Sequence, residues 1–248
     1  MKVYCLYNKD YHRFINEIVE QILTVYGSQL KLGTLEEIEL VDKNEMLSIS
    51  DGKILGSSKI IISSRIPDLL TTYNVSSLYS NNDYKIFKRT IFHEMNHITD
   101  MVVMPKLYNN AFYNKNIKYY LPSLFWTEYI VEKRTFSFED VNDTKLCDTF
   151  VKISWACNMY KRYENYCKNN FFYLVKLLSY FLARTHSPEV RKEYLYKINN
   201  QLVKQFINEL DKELKDLESK DLFDDVVTLF SLFEILDKYY RLFIRIYK

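Results

Sequence analysis

Glycine and proline are scarce in this chain, with four of each among 248 residues. So little punctuation points to long helices. A surplus of one charge is also missing: 34 Lys and Arg stand against 32 Asp and Glu, mixed along the sequence. That balance offers no electrostatic footprint for nucleic acid or an anionic membrane, so neither is expected as a partner. Long apolar runs are absent too. The most apolar stretch, "FFYLVKLLSYFLA" at 171–183, contains Lys176 and falls short of the roughly 20 residues a membrane span needs. The N-terminus lacks the apolar core of a signal peptide, and a cytoplasmic location is the expectation. Cys5, Cys147, Cys157 and Cys167 form no C-x-x-C pair, which leaves buried free thiols as their reading.

What is present is a large apolar and aromatic fraction, 48% and 16%, enough for a packed core, and it is laid out periodically. Phe14, Ile15, Ile18, Val19, Ile22 and Val25 fall on one helical face, with Gly27 as a possible C-cap. "LEEIELVDK" and "GKILGSSKIIISSRIP" are short runs rich in Ile, Leu and Val, bounded by Gly33, Gly52, Gly56 and Pro67. They predict a sheet between about residues 30 and 66. The helical period returns at Asp83 with the stripe Phe87, Ile91, Met95, Ile98 and Val102, and Pro105 marks its end. An Asn- and Tyr-rich loop, "KLYNNAFYNKNIKYYLP", should lead to a second helix near Ser123. Beyond about residue 140 nearly everything reads as helix. With no repeat and no linker, the expectation is a single α+β domain over 1–248, with a small mixed sheet, a site helix and a mostly helical C-terminal half. The sheet and site helices would extend to about residue 138, and the helical region from about 139.

Histidine is rare, yet two of the four lie in "IFHEMNHITD" at 91–100. Residues four apart on a helix share a face, so His93 and His97 can aim one imidazole nitrogen each at a single point. Both lie to one side of the Phe87–Val102 stripe and need not compete with core packing. Glu94 is adjacent in angle, where its carboxylate reaches a metal-bound water without ligating. This is the division of labour in H-E-x-x-H zinc hydrolases: two histidines hold Zn2+ and the glutamate takes a proton from the attacking water. The bland reading is a solvated helical face carrying a His/Glu cluster.

A catalytic zinc has three protein ligands and one open position. Asp100 is tempting, but seven residues from His93 is a rise of about 10 Å against zinc bonds of about 2 Å. It is better read as an outer-shell acceptor or as a solvated aspartate. The third ligand should come from "LFWTEYIVEKRTF", where Glu128 and Glu132 stand four apart in apolar company with no basic partner on their own helix. Stacked carboxylates repel unless a cation lies against them, and zinc with its histidines would serve. Glu128 is taken as the ligand and Glu132 as the acceptor that fixes a ligand histidine. The reverse assignment remains open, as does an exposed pair answered by Lys or Arg from elsewhere. An oxyanion donor is expected by residue type at Tyr119, Tyr120 or His186.

"HEMNHITD", followed 31 residues after His97 by "EYIVEKRTF", resembles the gluzincin branch of the zincin metallopeptidases. The chain is similar there to the group that includes the lethal-factor catalytic domain and repressor-cleaving peptidases of mobile elements. The likeness covers roughly residues 55 to 138. Asn96 stands where many relatives have glycine, and Val131 where alanine is usual. There is no third histidine at metzincin spacing, and Asp100 lies too close to His97 for the aspzincin pattern. The resemblance implies a zincin-like fold, zinc on His93, His97 and Glu128, and Glu94 as general base. It also implies an edge strand, from Ser58 to Ser64, along which an extended peptide substrate lies. A zinc-dependent metallopeptidase is therefore the expected function. The rivals are a catalytically inactive zincin-fold binding or regulatory protein and a helical interaction protein with an accidental motif.

Overall fold

The structure is a computed structural model. It describes residues 2–5, 9–33, 35–42, 52–56, 58–64, 82–136, 149–153, 167–185, 187–220 and 222–246. His186, Pro67, Cys147 and Cys157 lie outside these residues, as do the side chains of Cys5 and Cys167. The chain gathers into two compact units, Met1–Val103 and Met104–Lys248.

The first unit contains β1 (Lys2–Cys5), α1 (Lys9–Tyr26), β2 (Glu37–Asp42), β3 (Gly52–Leu55), β4 (Lys59–Ser64) and α2 (Asn82–Val103). Ile15, Ile18, Val19 and Ile22 bury one face of α1, while Val25 is exposed at its end. The four strands form one sheet in the order β1-β2-β4-β3. β1 with β2 and β2 with β4 run parallel; β3 with β4 runs antiparallel. Ile38 sits between Val3 and Ile60 in the register, and both isoleucines are fully buried. The continuous run Ile60, Ile61 and Ile62 is buried, as expected of a strand covered on both faces. β1 lies outside the region where a sheet was expected. Its four residues hold too short a pattern to read as a strand, and parallel pairing to β2 makes it one.

The expected edge strand from Ser58 to Ser64 is not an edge. Lys59–Ser64 pairs with β2 along its whole length and with β3 from Lys59 to Ile62. Its ladder groups are committed on both sides there, which leaves no row of free donors for a peptide. Among the described residues the strands with a single neighbour are β1 and β3. α2 packs against β3 and β4 with Phe87, Ile91, Met95 and Ile98 buried, while Val102 is exposed.

The second unit is helical. It comprises α3 (Pro105–Tyr113), α4 (Ile117–Phe136), helical residues 149–153, α5 (Cys167–Arg184), α6 (Pro188–Lys197), α7 (Gln201–Glu218), a 3-10 turn (Val226–Leu229) and α8 (Phe230–Ile246). Most of the stretch expected as a loop before Ser123 is helix. Pro105 opens α3 at a position that needs no N–H. The Asp224 carboxylate, far along the chain, accepts from the Lys106 and Leu107 N–H groups at 3.1 and 3.0 Å. The break shrinks to residues 114–116, where the Asn116 side chain accepts from Lys118 N–H at 3.0 Å and starts α4. α4 is buried almost all round from Leu121 to Tyr129. A helix enclosed on every side shows no amphipathic stripe.

α4 packs on α3 and α5, and α8 joins them. Phe171, Phe206 and Tyr239, from α5, α7 and α8, stack at this unit's centre. Ring centroids are 6.1 Å apart for Phe171 and Phe206, and 4.3 Å for Phe206 and Tyr239. A mostly helical chain with a small mixed sheet is thus α+β at the level expected. No described helix is long and apolar enough to cross a membrane. Phe206→Ala should empty a fully buried site and cost about 3–5 kcal/mol of stability, measured by denaturant unfolding.

Candidate metal centre

His93, Glu94 and His97 lie in the middle of α2. The Nε2 atoms of the two histidines are 3.1 Å apart, and their rings meet edge to face at 78°. Two ligands of a tetrahedral zinc with bonds of about 2.0–2.1 Å would stand about 3.3 Å apart. The pair therefore has the bite of a chelate. His97 is buried and His93 partly so. Glu94 is 8% exposed and lies against the start of β3. A Cβ added to Gly52 would stand 2.9 Å from Glu94 Oε1 and 2.9 Å from Thr90 Cγ2. Glycine at that position is what lets the strand approach the glutamate. Asn96 returns its amide to Phe92 O at 2.9 Å, so a polar residue is accommodated on this buried helix. Asp100 is fully buried, which removes the reading of it as a solvated aspartate.

Glu128 and Glu132 lie on α4, 1% and 3% exposed. Neither is the exposed pair that one reading allowed. Their counter-charges come from α5. Lys176 Nζ is 2.6 Å from Glu128 Oε1, and the Tyr180 hydroxyl donates to Glu128 Oε2 at 2.7 Å. Arg184 Nε donates to Glu132 Oε1 at 2.6 Å, and the same guanidinium donates to Thr149 Oγ1. Burial pulls the Lys176 pKa down, but the Glu128 carboxylate more than reverses this and holds it well above the ordinary lysine value. The Tyr180 hydroxyl is pushed well up by burial and by Glu128. Tyr120 is also raised, first by burial, with Lys176 and Glu128 acting on it in opposite senses. Tyr120 thus shares the field of that ion pair, while Tyr119 sits by Phe230, ring centroids 6.4 Å apart.

His93 and His97 are the two potential ligands whose approach α2 itself fixes, while Glu128, the third residue that the sequence suggested, lies on α4 of the second unit. Two imidazoles and a carboxylate are a zinc donor set, so the residues present fit the ion that the sequence suggested. Comparison with protein-family models, curated proteins and solved structures finds no match. The chemistry of the site therefore rests on its own residues.

Sequence reasoning missed Lys176, Tyr180 and Arg184. A signal was there: the three are spaced by four, the same step as Glu128 and Glu132, so two helix faces with complementary charge could have been matched. Nothing local says which helices will pack. The Glu132–Arg184 pair is nearly dry, with side-chain exposures of 3% and 11%. Arg184→Met should strand a buried carboxylate and cost about 3–5 kcal/mol. Adding Glu132→Leu to that variant should recover most of the loss in thermal or urea unfolding.

Proposed function

We propose that the protein is a zinc-dependent peptidase in which His93, His97 and Glu128 hold the ion and Glu94 is the general base. The observation that carries this is the 3.1 Å separation of the His93 and His97 Nε2 atoms on α2, the bite of a chelate, with the base next in sequence to one of them. His93, His97 and Glu128 would hold the ion, which when bound would supply Lewis acidity to a scissile carbonyl and to the attacking water. Glu94 accepts the proton from that water and passes it to the leaving amine. The start of β3 at Gly52, where an added Cβ would stand 2.9 Å from Glu94 Oε1, restricts where the carboxylate can swing. For an extended peptide the strand to hand is β3, which has a single neighbour among the described residues and begins beside Glu94. Tyr120, of the three oxyanion candidates, lies within the field of Glu128 and Lys176 and is preferred here. The likeness of "HEMNHITD" and "EYIVEKRTF" to gluzincin motifs supports the same assignment.

One observation favours a second reading, a zincin-like binding or regulatory protein without turnover. Both oxygens of Glu128 already have protein partners, so this glutamate has a structural reason to be where it is without zinc. Glu94→Gln separates the two. It should keep one equivalent of zinc by elemental analysis and lose peptide-bond cleavage by about a hundredfold or more. His93→Ala and His97→Ala should lose the zinc. Unchanged cleavage by Glu94→Gln would falsify the assigned base, and a full zinc equivalent in His97→Ala would contradict the site.

A further inference from the structure

We propose that Lys176 and Tyr180 divide the two oxygens of Glu128 between them: Tyr180 is a positioning residue that keeps one oxygen, and Lys176 is a resident cation that a metal displaces from the other. This rests on the zinc reading of His93, His97 and Glu128 given above. Lys176 Nζ holds Oε1 at 2.6 Å and the Tyr180 hydroxyl holds Oε2 at 2.7 Å. A metal that takes either oxygen must share it or evict its holder. The two holders are unlike. A neutral hydroxyl on one oxygen stays compatible with a cation on the other, and it stops the carboxylate from rotating. An ammonium 2.6 Å from the oxygen a dication needs is repelled by that dication at short range and low dielectric. Lys176 can also leave. Its ammonium is enclosed beside the carboxylate, but 39% of its side chain is exposed against 2% for Glu128, so the flexible stem gives the charge a way out to water.

The pairing has two effects. Without metal, Lys176 neutralises a carboxylate that would otherwise be buried and uncompensated, so the unit folds without waiting for zinc. With metal, breaking that pair is subtracted from the binding energy, which weakens apparent affinity. Arg184 serves as the internal control, since its Nε donates to Glu132.

Zinc affinity of the full chain is measured by competition with a chromophoric chelator, with helicity followed by circular dichroism. Lys176→Met should bind zinc about tenfold more tightly, Tyr180→Phe about tenfold more weakly, and Arg184→Lys as the parent does. Independently, the Lys176 amine should be acetylated faster in the zinc-loaded protein than in the metal-free one, read by peptide mass spectrometry. If Lys176→Met does not fold, that labelling contrast decides the point. Unchanged affinity in Lys176→Met, or equal acetylation rates with and without zinc, overturns the displacement, and unchanged affinity in Tyr180→Phe overturns the positioning role. Loss of zinc from Glu128→Ala in the same series leaves the metal reading standing. No zinc on the parent chain, or a full equivalent on Glu128→Ala, overturns the metal reading and this proposal together.

Discussion

Burial of carboxylates is the constraint on which the candidate site depends. Glu94, Glu128 and Glu132 keep 8%, 1% and 3% of their surface, and an ionised carboxyl taken that far out of water requires donors or cations close by. In the helical unit the requirement is met by one face of α5, which sets Lys176, Tyr180 and Arg184 against the two glutamates of α4. The packing of α4 on α5 is therefore electrostatic as well as apolar. In the sheet unit, the backbone of β3 comes close to Glu94 because Gly52 has no side chain.

Local pattern was enough for some of this. The stripe Phe87, Ile91, Met95 and Ile98 placed α2 within a residue of its start, and Pro105 marked its end. The Ile-rich runs placed β2, β3 and β4 within the expected region, because β-branched residues between glycines have few other uses. What the pattern missed was set by partners distant in sequence. β1 exists through its ladder with β2, α3 begins under the Asp224 carboxylate, and strand order made Lys59–Ser64 interior and Gly52–Leu55 the strand with one neighbour. The break between the two compact units at Val103 and Met104 leaves no trace in composition, since helix continues on both sides of it.

The case for a metal has also changed its footing. In sequence, two stacked glutamates without an on-helix counter-charge pointed toward zinc. With Lys176 and Arg184 in place that reasoning loses its force, because protein cations do what the ion was invoked to do. The remaining support comes from the imidazoles, whose Nε2 atoms at 3.1 Å are close to the separation of two ligands on one ion. Charge balance explains why Glu128 is tolerated in the interior. It does not explain why two histidines bring their Nε2 atoms together in the middle of α2.

The central claim is that one zinc is held by nitrogen and oxygen donors from His93, His97 and Glu128. X-ray absorption at the zinc edge on protein loaded with one equivalent reads those donors directly. The account predicts a nearest shell of nitrogen and oxygen at about 2.0–2.1 Å, with the outer-shell scattering of two imidazoles. A sulfur shell at about 2.3 Å, or a hydrated ion with no imidazole scattering, would contradict it.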